Sequence, residues 1–133
     1  MNSIRLISPV DGSLYAERPY ASSSQLDQAL SSAREAQRAW RELSIEQRAG
    51  YCLKAVEAML AMQDEIVPEP AWQMGRPVRY GAGELRGFAE RARYMIGIAG
   101  EALADVVPAP IDGFRRYIRR EPLGTVLVIA PWN

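Results

Sequence analysis

An α/β fold is predicted for this sequence, with most of its residues helical. Three observations carry that expectation. Apolar residues recur at helical spacing in three long segments before residue 105. The pattern then changes to β-branched residues and prolines around a central Asp112-Gly113. The last apolar run, "TVLVIAP", is too short for a helix with those flanks and reads as a strand covered on both faces.

Taken in order, the opening "SPVDGSLYAERPYAS" mixes Pro, Asp-Gly and Ser with single apolar residues. It suits an extended arm along the surface with a turn at Asp11-Gly12. In "SSSQLDQALSSAREAQRAW", Leu26, Ala29, Leu30, Ala33, Ala36 and Trp40 recur at helical spacing behind serines that can cap the first turn. "SIEQRAGYCLKAVEAMLAMQDEI" opens on Ser44 and Gln47, spaced as a capping box, with Ala49, Cys52, Leu53, Val56, Met59 and Leu60 on one stripe. This second helix is expected to run antiparallel to the first and to break near Ile66. In "VPEPAWQMGRPVRYGAG" the prolines allow one short helix, closed by Gly75 and stopped by Pro77.

"GELRGFAERARYMIGIAGEAL" resumes the helical period with Leu85, Phe88, Ala92, Met95, Ile96, Ala99 and Leu103. Its Gly87, Gly97 and Gly100 each cost roughly 1 kcal/mol against Ala, so another backbone is expected to pack closely there. "VVPAPIDGFRRYIRREPLG" reads as a hairpin turning at Asp112-Gly113. The strand after it needs parallel neighbours, and helices and an irregular arm occupy everything upstream. The sequence is therefore expected to supply part of a larger sheet.

Sixteen Lys plus Arg balance sixteen Asp plus Glu, so the formal net charge is zero. No global field favours nucleic acid or anionic lipid. With Cys52 the lone cysteine and no histidine, disulfide frameworks, zinc clusters, Ser-His-Asp triads and Cys-His pairs are excluded within these residues. The opening residues lack the basic and apolar regions of a secretory leader, and no apolar run reaches membrane-spanning length. A cytoplasmic location with no membrane contact is the expectation.

Cys52 falls on an apolar stripe with no base assigned nearby, which favours packing over catalysis. Arg115, Arg116, Arg119 and Arg120 surround Tyr117 and superficially offer phosphate contacts. Their interleaving with Phe114 and Ile118 fits a half-exposed strand at a sheet edge or subunit contact better, so no nucleic acid partner is expected. Lys54 and the scattered carboxylates suit solvated helix faces. Trp40 and Trp72 read as core anchors. Trp132 differs, because with Pro131 and Asn133 it follows the strand, where open parallel α/β sheets bind ligands. An Asn amide there can donate to an oxygen developing negative charge, although a turn Asn after Pro-Trp satisfies the same pattern.

"RREPLGTVLVIAPWN" resembles the segment leading into the cofactor domain of the aldehyde dehydrogenase superfamily. "SPVDGSLYAERPYASS", "LDQALSSAREAQRAWRELSIEQRAGYCLKAVEAML" and "WQMGRPV" resemble that family's amino-terminal arm, paired helices and Met-Gly-basic-Pro turn, in the same order. The resemblance implies residues 1–105 as arm and helices of the cofactor domain, 106–122 as a hairpin of the oligomer-bridging sheet, and 123–133 as the first cofactor-domain strand. It implies oxidation of an aldehyde to a carboxylic acid with NAD or NADP, through a cysteine thiohemiacetal and thioester, in a homo-oligomer. Asn133 matches the family's side-chain donor to the oxyanion, while Ile129, Ala130, Pro131 and Trp132 fall where the family lines the nicotinamide ribose and ring. The nucleophilic cysteine, the glutamate base and the pyrophosphate-binding glycine turn have no match here, and Cys52 corresponds to none of them. The chain alone is expected to be inactive. Pro68 and Pro70 depart from the family by falling inside a segment that is usually a helical turn, where an interior proline costs about 3 kcal/mol. The competing expectation is a non-catalytic truncated paralogue or helical module that binds a dehydrogenase.

Overall fold

The computed structural model describes residues 3–130. Its arm is more regular than its composition suggests. Strands β1 (Ser3–Ile7) and β2 (Leu14–Pro19) pair antiparallel, with Arg5 opposite Glu17 and a bulge between Leu6 and Ile7. The reversal sits at the Asp11-Gly12 signal, where Gly12 has φ 77. Asp11 accepts from the Ser13 backbone N–H at 3.0 Å and from its hydroxyl at 2.7 Å, replacing hydrogen bonds that a sheet would otherwise provide.

Two helices begin on complete capping boxes. In α1 (Ser23–Arg41) the Ser22 hydroxyl accepts from Gln25 N–H while the Gln25 side chain accepts from Ser22 N–H. Ser44 and Gln47 repeat the arrangement at the start of α2 (Ile45–Ala61). Each box satisfies donors that the first turn leaves unpaired. Beyond α2 the chain kinks at Met62 into the single turn α3 (Gln63–Ile66), then enters α4 (Glu69–Met74).

The prolines do not disrupt this segment. Pro68 is the residue preceding α4 and Pro70 lies in its first turn, where the missing N–H has no intrahelical acceptor to lose. Gly75 closes α4 at φ 75, donating to the Ala71 carbonyl at 2.9 Å, and Arg76 N–H reaches the Pro70 carbonyl at 3.2 Å. After a short 3-10 turn over Val78–Tyr80 comes α5 (Gly81–Ala102).

The main helical contact is between α2 and α5, where Val56, Leu85 and Ala89 are buried. Outside it, Arg93 pairs with Glu57 at 2.7 Å. The first two helices, expected to run antiparallel, meet each other less than α2 meets α5. Helix α1 buries none of its residues and meets α2 through Trp40 against Tyr51, with ring centroids 5.6 Å apart. The glycine expectation is corrected. A Cβ on Gly97 or Gly100 would meet nothing within 4 Å, and on Gly87 only the Arg91 guanidinium at 3.9 Å. The close approach is at Gly81, where a Cβ would lie 2.7 Å from the Val67 carbonyl oxygen.

After α5 the chain reverses at Asp112-Gly113, with Gly113 at φ 76 and Phe114 N–H donating to the Ile111 carbonyl at 3.1 Å. Only isolated bridges form, Val106 to Ile118 and Ile111 to Phe114, rather than a continuous ladder. Residues 123–130 form no strand, for the physical reason the sequence gives: a strand needs a neighbour, and these backbone groups have none among the described residues. The chain presents 11201 Å² of accessible surface. A compact monomer of 14.8 kDa presents roughly 7,000 Å². About 4,000 Å² of surface is thus in excess of a self-contained domain.

Candidate functional site

The segment singled out by sequence leaves Gly124, at φ 94, and runs out through Ala130. Its first part borders α1. Leu30, Arg34, Gln37, Arg38 and Arg41 line a groove with residues Gly124 to Leu127. The link is an ion pair between Arg41 and Glu121 at 3.7 Å, exposed on both sides and therefore of small value. Beyond the groove the side chains face open solvent, with Ile129 at 85% exposure. Ile129 and Ala130 present apolar side chains and backbone groups with no hydrogen bond to another of the described residues. Pro131, Trp132 and Asn133 lie outside the described residues.

Cys52 does not pack as its stripe suggests. It is exposed and lines an apolar groove of about 290 Å³ with Trp40, Ile45, Ala49, Met95 and Ile96. The contact between α2 and α5 is centred on Val56 and Leu85, so residues one turn earlier on α2 open outward. Trp40 and Trp72 are likewise not core anchors, at 39% and 41% exposure. Each contacts a single tyrosine instead, Trp40 tilted against Tyr51 and Trp72 parallel to Tyr15.

The arginine cluster is turned inward on its own segment. Arg116 donates to the Ala109 carbonyl and Arg120 Nε to the Ala104 carbonyl at 3.2 Å. Arg119 pairs with Asp105 at 3.7 Å and, like Arg115, covers the Tyr117 ring. Lys54 lies over Tyr51. Among the described residues no group of three His, Cys, Asp or Glu could hold a metal ion, and no helix is long and apolar enough to cross a membrane.

One polar constellation escaped the sequence. Tyr15 on β2 donates to Glu69 at 2.7 Å, and its ring stacks on Trp72 with centroids 6.4 Å apart and planes at 5°. The hydrogen bond from Tyr15, and a second from Gln73, hold the Glu69 carboxyl below its usual range. The same bond pushes the Tyr15 phenol up. The residues are 54 apart, and no local spacing signals their meeting.

The family model described as "Aldehyde dehydrogenase family" matches residues 1–133. The chain belongs to the aldehyde dehydrogenase family. It is 31% identical over 131 residues to 3,6-anhydro-alpha-L-galactose dehydrogenase of Streptomyces coelicolor, covering 98% of this chain and 26% of that protein. Against alpha-ketoglutaric semialdehyde dehydrogenase of Bacillus subtilis the identity is 32% over 108 residues, covering 81% and 22%. The crystal structure of PnpE from Pseudomonas sp. WBC-3 is 26% identical with a TM-score of 0.72, covering 84% of this chain and 23% of that one. PnpE in complex with nicotinamide adenine dinucleotide gives a TM-score of 0.73 at the same identity and coverage. The chain spans about a quarter of the length of these aldehyde dehydrogenases.

Proposed function

We propose that this chain is the amino-terminal part of an NAD(P)-dependent aldehyde dehydrogenase that oxidises an aldehyde to a carboxylic acid. The observation that carries this reading is the family match along all 133 residues. The excess of exposed surface supports it, since Leu26 and Leu30 on α1, Tyr94 and Met95 on α5 and the apolar residues of 123–130 are exposed side chains that a larger domain would bury.

The described residues fit one wall of a dinucleotide site. Ile129 and Ala130 offer apolar side chains and backbone groups without partners among the described residues, the chemistry a nicotinamide ribose accepts, and supply nothing for the pyrophosphate. NAD or NADP would supply the hydride acceptor. In this reading Ile129, Ala130, Pro131 and Trp132 shape the pocket and exclude water around the reacting carbonyl. Asn133 donates from its side-chain amide to the carbonyl oxygen as that oxygen gains negative charge. A donor so placed acts mainly on the transition state, and its loss typically lowers the rate about a hundred- to a thousandfold. The attacking cysteine and the base that activates water lie outside these residues.

The test is aldehyde-dependent formation of NAD(P)H, followed at 340 nm, by the native polypeptide that contains this chain. Asn133→Ala should lower kcat by about a hundredfold or more with little change in KM. Absence of aldehyde-dependent reduction, or an Asn133→Ala variant with unchanged kcat, would overturn the reading. Residues 1–133 alone should reduce neither cofactor. If the native polypeptide has the mass of this chain and binds a separate dehydrogenase without turnover, the non-catalytic module is the correct reading instead.

A further inference from the structure

The β1–β2 hairpin is closed by its own hydrogen bonds and touches the helices over a small area. That area contains specific contacts. Tyr15 donates to Glu69 at 2.7 Å and its ring lies parallel to and offset from that of Trp72, while Gln73 also donates to the Glu69 carboxylate. In the turn of the same hairpin the Pro9 ring caps the left-handed turn after α4, where a Cβ on Gly75 would stand 3.2 Å from the Pro9 Cγ. Ser8, just before Pro9, is fully buried, and its hydroxyl accepts from Val10 N–H at 3.3 Å. The connection from β2 to α1 is short and exposed.

We propose that the hairpin is a strap fastened to α4 by a Tyr15–Glu69–Trp72 clasp, and that it opens as a unit while the α2–α5 contact stays folded. An isolated two-stranded hairpin is marginal in water, so the docked arm depends on the surface it lies on. The helical contact does not depend on the arm in the same way, because Val56, Leu85 and Ala89 are buried between helices that the hairpin does not separate. Segments with few buried contacts open locally at lower free energy than the core. Opening further exposes Trp72 and bares Ser8 and the Gly75 turn together, so the clasp, with the Tyr15–Glu69 hydrogen bond as one part of it, controls access to that face of α4. The device belongs to the arm and α4, and it stands whatever reaction the chain serves.

Amide hydrogen exchange of the full chain, read by mass spectrometry, tests this. Tyr15→Phe keeps the ring stack and loses the hydroxyl, and should speed exchange across residues 3–19 about five- to tenfold. Tyr15→Ala should speed it further. In both, α5 peptides should keep their wild-type rates. Glu69→Gln should weaken the clasp alone and add little on top of Tyr15→Phe, because the partner hydroxyl is already gone. Unchanged arm exchange in Tyr15→Ala, acceleration of α5 together with the arm, or additive effects of the two substitutions would each overturn the proposal.

Discussion

Gly81 and Gly97 lie on the same helix, and the structure assigns their alanine substitutions opposite signs. At Gly81 the backbone is ordinary right-handed helix, with φ −58 and ψ −44, so alanine meets no conformational penalty. The obstacle is space. The new methyl would lie 2.7 Å from the Val67 carbonyl oxygen and 2.8 Å from its Cγ1, and a backbone oxygen cannot swing aside like the end of a lysine. Forcing α5 away from residue 67 costs about 1–3 kcal/mol. Alanine's better helix propensity offsets at most about 1 kcal/mol. Gly81→Ala should therefore destabilise by about 1–2 kcal/mol. At Gly97 nothing lies within 4 Å, so Gly97→Ala should stabilise by about 0.5–1 kcal/mol through propensity alone. The readout is thermal unfolding followed by circular dichroism, where about 4 °C corresponds to 1 kcal/mol for a chain this size. A Gly81→Ala chain as stable as Gly97→Ala would refute the steric reasoning. In a native polypeptide that contains this chain, a Gly97→Ala variant that loses stability would show a neighbour seated on the far half of α5.

Ser44→Ala removes one half of the capping box on α2 and should cost about 1 kcal/mol in denaturant unfolding, with no cost falling outside the measurement error counting against the cap. Cys52, exposed in its groove, should be alkylated by iodoacetamide in the folded chain within tenfold of its rate in urea, and strong protection would mean that the groove is covered. The clasp has a defined pH window. Glu69 is depressed below its ordinary 4.5, by Tyr15 first and Gln73 second, so its contribution is present above that value and fades as pH falls through the folded one. Tyr15 is raised above 10.0 by Glu69, so its contribution is present below that value and is lost as pH climbs through the folded one. Near-ultraviolet circular dichroism from the Tyr15–Trp72 stack should stay flat from roughly pH 5 to pH 10, and a transition near neutrality would refute it.

What the sequence discloses here follows from the range of the physics. Ser22, Ser44, Gly75 and Asp11-Gly12 act on backbone groups within four residues, and each helix start, helix stop and turn they imply is present. Pro68 and Pro70 looked disruptive because position relative to the helix start decides a proline's cost, and a single residue's shift in that start turns a breaker into a tolerated first-turn residue. Partner choice was less legible. The stripes on α1 and α2 are both apolar at helical spacing, and periodicity states that a face is buried without saying by what. Nothing local could reveal Tyr15 meeting Glu69 across the fold, or that Gly81 rather than Gly97 is the glycine under contact.

That limit bears directly on the site. Residues Leu123 and Val126 to Ile129 are among the most exposed apolar side chains of the molecule, yet they lead straight into the positions where the family resemblance puts the nicotinamide wall and the oxyanion donor. A side-chain amide stabilises a developing oxyanion only when its distance and direction are fixed within about 0.5 Å. An extended segment without a hydrogen-bonded neighbour does not supply that precision. Pairing of residues 125–130 with parallel strands would bury the apolar run, satisfy its backbone groups and fix the end of the strand in one step. The same contacts that would cover the excess surface are therefore the ones that would make Asn133 a catalytic donor, so stability of the edge and activity of the site should rise and fall together.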